Sequence, residues 1–135
     1  MTRDTLHVLF VDDESEVREL GAEMLERADG SLTVATCRSA GAGLEELSET
    51  TFDCVVSDYQ MPGMNGLAFY EAVSDARPEL PFVLYTGVDD RTVFERAADR
   101  GIDACVRKRV GTEQYHALAR RIRDATGMRL HVEDA

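Results

Sequence analysis

Four short apolar runs, each ended by a polar residue and each followed by a segment of helical period, limit this chain to one kind of architecture. Val8-Leu9-Phe10-Val11, Cys54-Val55-Val56, Phe82-Val83-Leu84-Tyr85 and Ala104-Cys105-Val106 show no polar alternation, as expected of strands buried on both faces of a parallel sheet. A weaker run, Leu32-Thr33-Val34-Ala35, reads as an edge strand. Between the runs, apolar residues recur at helical spacing. Val17, Leu20, Gly21, Met24, Leu25 and Ala28 make one stripe, Phe69, Ala72, Val73 and Ala76 another, and Tyr115, Leu118, Ala119 and Ile122 a third. Ser39 and Thr112 stand at N-cap positions, and Gly101 and Gly127 stand where helices should stop. The segment from Ser39 to Leu47 is a weaker helix, because Gly41 and Gly43 each cost about 1 kcal/mol relative to Ala.

Five such units in 135 residues predict an α/β fold: a doubly wound, five-stranded parallel sheet with five helices on its two faces and right-handed crossovers. Barrel closure would need eight units. One domain is expected over residues 1–126, with 127–135 a polar C-terminal tail or the start of a linker. With 44% hydrophobic residues the chain fills a core without disulfides or metals. Cys37, Cys54 and Cys105 are odd in number and far apart, so they read as buried free thiols in a reducing compartment. The N-terminal run Leu6 to Val11 is too short for a signal peptide or a membrane span. No membrane insertion is expected, and the cytoplasm is the expected location.

Acidic residues number 26 against 15 basic ones, a net charge of −11 that disfavours direct contact with nucleic acid. Lys108 is the sole lysine. An acid-rich, lysine-poor surface suits a halophile's saline cytoplasm, where salt screens self-repulsion; Arg-biased codon usage is the alternative.

Ligands of open α/β sheets bind outside the carboxyl ends of the strands. The residues there are Asp12-Asp13, Ser57-Asp58, Thr86-Gly87 and Arg107-Lys108. Three carboxylates, a hydroxyl and an ammonium thus converge at one edge. Carboxylates so grouped repel one another and call for a counter-charge. Oxygen ligands without His or Cys suit a hard ion, and few carboxylates with room for water and phosphate suit Mg²⁺ better than Ca²⁺. One Asp is then placed to attack phosphorus and form an acyl phosphate. Singly, each residue has a plainer reading: Asp12 and Asp13 as caps of the next helix, Asp58 as the opening of a turn before Pro62-Gly63, Thr86 as a strand-end hydroxyl, Lys108 as a solvated charge. Together the plain readings need four coincidences at four strand ends.

Leu9-Phe10-Val11-Asp12-Asp13-Glu14, the stretch from Ser57-Asp58 through Gln60-Met61-Pro62-Gly63 to Gly66, Thr86-Gly87 and Lys108 resemble the receiver domain of two-component response regulators, from about Leu6 to Ala125. The chain looks most similar to receivers that begin haloarchaeal proteins with downstream sensor and histidine-kinase modules, where runs like Pro81 to Gly87 and Gly111 to Tyr115 recur. The resemblance implies a flavodoxin-like strand order 2-1-3-4-5. It makes Asp58 the phosphoacceptor; Asp13, Asp58 and the carbonyl of Gln60 direct ligands of Mg²⁺, for which Mn²⁺ substitutes; and Asp12 a ligand through water. Thr86 would grip the phosphoryl group and Lys108 would pair with it. Gln60 and Val88 sit where the family tunes hydrolysis, and Gly87 would keep the pocket open. The implied partner is a histidine kinase or phosphotransfer domain. The implied output is a switched surface of the fourth helix, fifth strand and fifth helix, with self-association through that face. Such a module catalyses its own phosphoryl acceptance and slow dephosphorylation and is not a turnover enzyme.

Two positions depart from the pattern. Arg109 follows Lys108 where the family has a proline in a cis peptide; a non-proline cis bond costs about 2.5–4 kcal/mol, so a trans bond is expected. Cys105 stands three residues before the lysine, where the family has Tyr or Phe. Three rivals remain: an Mg²⁺-dependent phosphatase, which would want an acid where Gln60 stands; a docking module of the same fold that is never phosphorylated; and a flavin binder, whose hydroxyl-rich loop is replaced here by Asp12-Asp13.

Overall fold

In the computed structural model, which describes residues 5–87 and 91–127, strand and helix alternate: β1 (Leu6–Val11), α1 (Ser15–Ala28), β2 (Leu32–Cys37), α2 (Ala40–Glu49), β3 (Cys54–Ser57), α3 (Gly66–Ala76), β4 (Phe82–Thr86), α4 (Arg91–Arg100), β5 (Ala104–Arg107) and α5 (Glu113–Thr126). All strand pairs are parallel, in the order β2-β1-β3-β4-β5. The expected doubly wound sheet is present. Val88 and the tail from residue 128 onward lie outside the described residues.

Because side chains alternate across a strand, each apolar run supplies two cores. Leu9, Val11, Val55, Phe82 and Leu84 pack with Leu47 of α2, Phe69 and Val73 of α3 and Val93 and Ala97 of α4. Val8, Phe10, Val56, Val83 and Tyr85 pack on the other face with Leu25 of α1 and Tyr115, Leu118 and Ile122 of α5. Strand β2 is the edge strand expected of its weaker run, half exposed and two residues longer than the sequence suggested.

Helix signals hold unevenly. The Ser39 hydroxyl accepts the Ala42 N–H at 3.0 Å, a true N-cap. Thr112 occupies the corresponding position of α5 but makes no side-chain cap bond and has helical dihedrals. Gly127 closes α5 in the left-handed conformation, at φ 76°. Of the two glycines that weaken α2, Gly43 is used for close approach: a Cβ there would stand 2.9 Å from the Phe69 ring, whereas one at Gly41 would meet nothing nearer than Ser39 Oγ at 4.0 Å. Leu20, placed by its spacing on the buried stripe of α1, is 53% exposed. Of the thiols, Cys54 is fully buried whereas Cys37 and Cys105 are only half-buried, which corrects the expectation of three buried sulfurs.

Arg123 of α5 fastens the turn between α1 and β2. Its guanidinium donates to both carboxylate oxygens of Asp29 and, at 2.8 Å, to the Ser31 hydroxyl. That hydrogen bonding holds the Asp29 carboxyl at about 2. A depressed carboxylate contributes stability that is full above its unfolded value of 3.8 and lost as pH falls toward about 2. The pair is partly solvated, so its worth is about 1 kcal/mol. Arg123→Gln should therefore cost about 1 kcal/mol in urea melts near pH 6 and visibly less near pH 3. A deficit independent of pH would remove this clamp from the account.

Candidate functional site

The sheet ladder continues one residue past three strands and sets the polar residues at one level. Asp12 N–H donates to the Cys37 carbonyl at 3.1 Å, Asp58 N–H to Val11 at 2.9 Å and Lys108 N–H to Thr86 at 2.8 Å. Their side chains meet. Asp12, Asp13 and Asp58 each bring a carboxylate oxygen within 4.8 Å of the others. The Lys108 ammonium lies 2.9 Å from Asp12 Oδ2 and 3.4 Å from Asp58 Oδ1.

Asp12 is fully buried, Asp58 is 6% exposed, and Asp13 is open to solvent. Burial pushes the Asp58 carboxyl above its usual range; Lys108 and the Tyr59 N–H pull it back, while Asp12 pushes it further. Burial also opposes the charge on Lys108, but the hydrogen bond to Asp12 and the negative charges of Asp58 and Asp12 prevail, so the ammonium is held more tightly than in water. One ammonium against three carboxylates leaves net negative charge at this edge. The donor set is all oxygen, which fits a hard divalent cation. Local bonds coexist with this arrangement: Asp12 Oδ1 accepts the Glu14 N–H at 2.9 Å and Asp58 Oδ1 accepts the Tyr59 N–H at 2.8 Å. Asp12 thus bonds the turn into α1 with one oxygen and Lys108 with the other, but it does not cap that helix, whose N-cap residue is Glu14 and carries no side-chain cap bond; at Asp58 the same Oδ1 that accepts the Tyr59 N–H faces Lys108.

A model of the response regulator receiver domain matches residues 8–120. The chain belongs to that family. It is 32% identical over 114 residues to the C4-dicarboxylate transport transcriptional regulatory protein DctD of Rhizobium meliloti, covering 84% of this chain and 24% of that protein. It is 30% identical over 130 residues to the bacterioopsin transcriptional activator of Halobacterium salinarum, covering 96% of this chain and 18% of that protein. The chain thus spans about a quarter or less of these relatives' length. Among solved structures, a response regulator receiver domain protein from Clostridium thermocellum superposes with a TM-score of 0.81 at 24% identity, covering 94% of this chain and 98% of that one, a likeness of fold. Receiver domains are signalling modules of two-component systems and not enzymes in the ordinary sense.

In this receiver Thr86 closes β4 with no exposed surface, in register with Arg107. Gln60 is exposed and, with Tyr59, Met61, Pro62 and Asn65, lines an open hollow of about 410 Å³. A Cβ at Gly87 would stand 3.8 Å from Lys108 Cδ, an ordinary contact. The peptide after Lys108 is trans, as Arg109 led us to expect. Cys105 packs half-buried against the core beside Leu84, and Arg107 sits 5.5 Å over the Phe94 ring, tying β5 to α4.

Two supports of the site are invisible to periodicity. Arg18 of α1 reaches back to donate to the Asp12 carbonyl at 2.8 Å. Gly66 presses against the backbone of Asp58: a Cβ there would lie 2.5 Å from the Asp58 carbonyl oxygen and 2.9 Å from Tyr59 Cα. Backbone cannot yield as a flexible side chain does, so Gly66→Ala should cost about 2–3 kcal/mol. A urea midpoint equal to wild type would show that the loop after Asp58 relaxes freely.

Proposed function

We propose that Asp58 accepts a phosphoryl group from a histidine kinase or phosphotransfer domain, with Mg²⁺ held by Asp13, Asp58 and the Gln60 carbonyl and, through water, by Asp12. The observation that carries this reading is the cluster of three carboxylates within 4.8 Å, closed on one side by Lys108. When bound, the cation neutralises oxygens of the incoming phosphoryl group. A carboxylate oxygen of Asp58 attacks phosphorus, the bond to the donor nitrogen breaks, and the transferred oxygens are met by the Lys108 ammonium and the Thr86 hydroxyl. The phosphatase reading is weaker because Gln60 offers no acid or base. A docking module that is never phosphorylated has no use for the complete acidic set.

Leu20 of α1 and Val110, just past Lys108, are large apolar side chains left exposed, and they suit the kinase contact. The output face is the α4, β5 and α5 surface, where Phe94, Cys105, Arg107, Arg120 and Arg121 line a cleft of about 460 Å³. Phosphorylation would shift this face between two conformations, and self-association would use the same surface. The domain spans residues 1–126, with a tail or linker after it. The −11 charge and the Halobacterium relative support a saline cytoplasm; no helix among the described residues is long and apolar enough to cross a membrane.

Acetyl phosphate, a small phosphodonor, tests the reading. The chain should take up a label that hydroxylamine strips, as it strips acyl phosphates, in Mg²⁺ or Mn²⁺ and not in chelator. A label that survives hydroxylamine would place the phosphate on a hydroxyl and end the proposal.

A further inference from the structure

Lys108 opens the connection from β5 to α5, and the rest of that connection is poorly held from outside. Arg109, Val110, Gly111 and Thr112 are all exposed, and Gly111 turns the chain at φ +94°. Inside the turn sits Gln114, only 9% exposed, although glutamine is mostly a surface residue. Its Oε1 accepts the Arg109 N–H at 3.0 Å and the Tyr85 hydroxyl, and its Nε2 donates to the Gly111 carbonyl at 2.8 Å. A backbone N–H only donates and a backbone carbonyl only accepts, so this network fixes which way the amide points.

The groups that Gln114 holds bracket Lys108. Arg109 is the next residue, and its N–H exists only because proline does not stand there. Tyr85 precedes Thr86 in β4, is 2% exposed, and packs edge-on against Phe10 at 6.1 Å. Its ring lies 5.5 Å from the Lys108 ammonium. Gln114 also does what Thr112 leaves undone, tying the first turn of α5 to the loop before it.

We propose that Gln114 is a positioning residue: its side-chain amide, joining Tyr85, Arg109 and Gly111, fixes the loop that aims the Lys108 ammonium at Asp12 and Asp58. The inference rests on Asp58 as phosphoacceptor for its consequence, though not for the geometry. A loop that lacks the usual proline is here held from within by hydrogen bonds to one buried amide.

The sole lysine makes the test direct. In protein labelled with ¹³C-lysine, the ε-methylene of Lys108 gives one set of NMR signals, displaced from the free-lysine position by the Tyr85 ring. Gln114→Met keeps the length and loses the polar atoms. The Lys108 signals should move toward the free-lysine position while circular dichroism is unchanged, and labelling by acetyl phosphate should slow about tenfold or more. Gln114→Glu keeps both acceptor bonds but turns the one to Gly111 into a contact between two acceptors, so it should release the Gly111 end of the loop while Tyr85 and Arg109 stay held, fall between the two, and decide the matter if the Met variant does not fold. Lys108 signals and labelling rates equal to wild type in both variants would overturn the proposal. A wild type that takes no label would defeat the phosphoacceptor reading instead, with the lysine signals still deciding what Gln114 does.

Discussion

Asp58→Asn should take no phosphoryl group under any donor or metal condition, and should make the metal-free protein more stable. The first half follows from chemistry, since an amide oxygen is too weak a nucleophile to form the acyl phosphate. The second follows from the sign of the Asp58 shift. Burial raises its carboxyl above the unfolded value of 3.8, so the folded state prefers the protonated form. Its contribution to stability is greatest below 3.8 and falls as pH rises through that value to the raised one. Near neutrality the ionised group is a net cost in the absence of a cation. Lys108 keeps its 2.9 Å contact with Asp12 in the variant, so no buried charge is orphaned. Urea melts in chelator should show a higher midpoint for Asp58→Asn. A lower one would mean that Lys108 already offsets the burial of Asp58.

Asp13→Ala should abolish the response to Mg²⁺ with little effect on the metal-free fold. Asp13 is the exposed member of the cluster, and its removal leaves the buried contacts of Asp12 and Asp58 with Lys108 in place. Ligand that binds only the native state stabilises it by about 2.7 kcal/mol at a hundred times its dissociation constant. Wild type should therefore melt several degrees higher in millimolar Mg²⁺, and Asp13→Ala should not. Labelling of the variant by acetyl phosphate should fall by about a hundredfold or more, since losing even an outer partner of a metal ligand costs about 10–100-fold. Equal Mg²⁺ shifts in both proteins would place the cation elsewhere.

The strands were legible because burial on both faces leaves continuous apolar runs, and the residue after each run names the ligand edge. That is why the sequence alone places Asp12, Asp58, Thr86 and Lys108 at one edge of the sheet. Leu20 was misplaced because spacing alone does not say where a helix's buried stripe ends, and Thr112 because a hydroxyl at the right position need not turn toward an N–H. Gly66 stood in a recognised motif, but its reason, contact with the backbone of Asp58, is a tertiary fact. Gln114 was not singled out at all. A buried glutamine carries no periodic signal, and its three partners come from β4, the loop and the turn before α5.

The central claim is the identity of the phosphorylated atom, and borohydride trapping tests it most directly. The reagent reduces an acyl phosphate to an alcohol, turning a phosphorylated aspartate into homoserine. Wild-type protein incubated with acetyl phosphate and Mg²⁺, trapped, digested and sequenced by mass spectrometry should carry homoserine at position 58 alone, and none when chelator replaces the metal. Homoserine at position 12 or 13, or at 58 in chelator, would contradict the account.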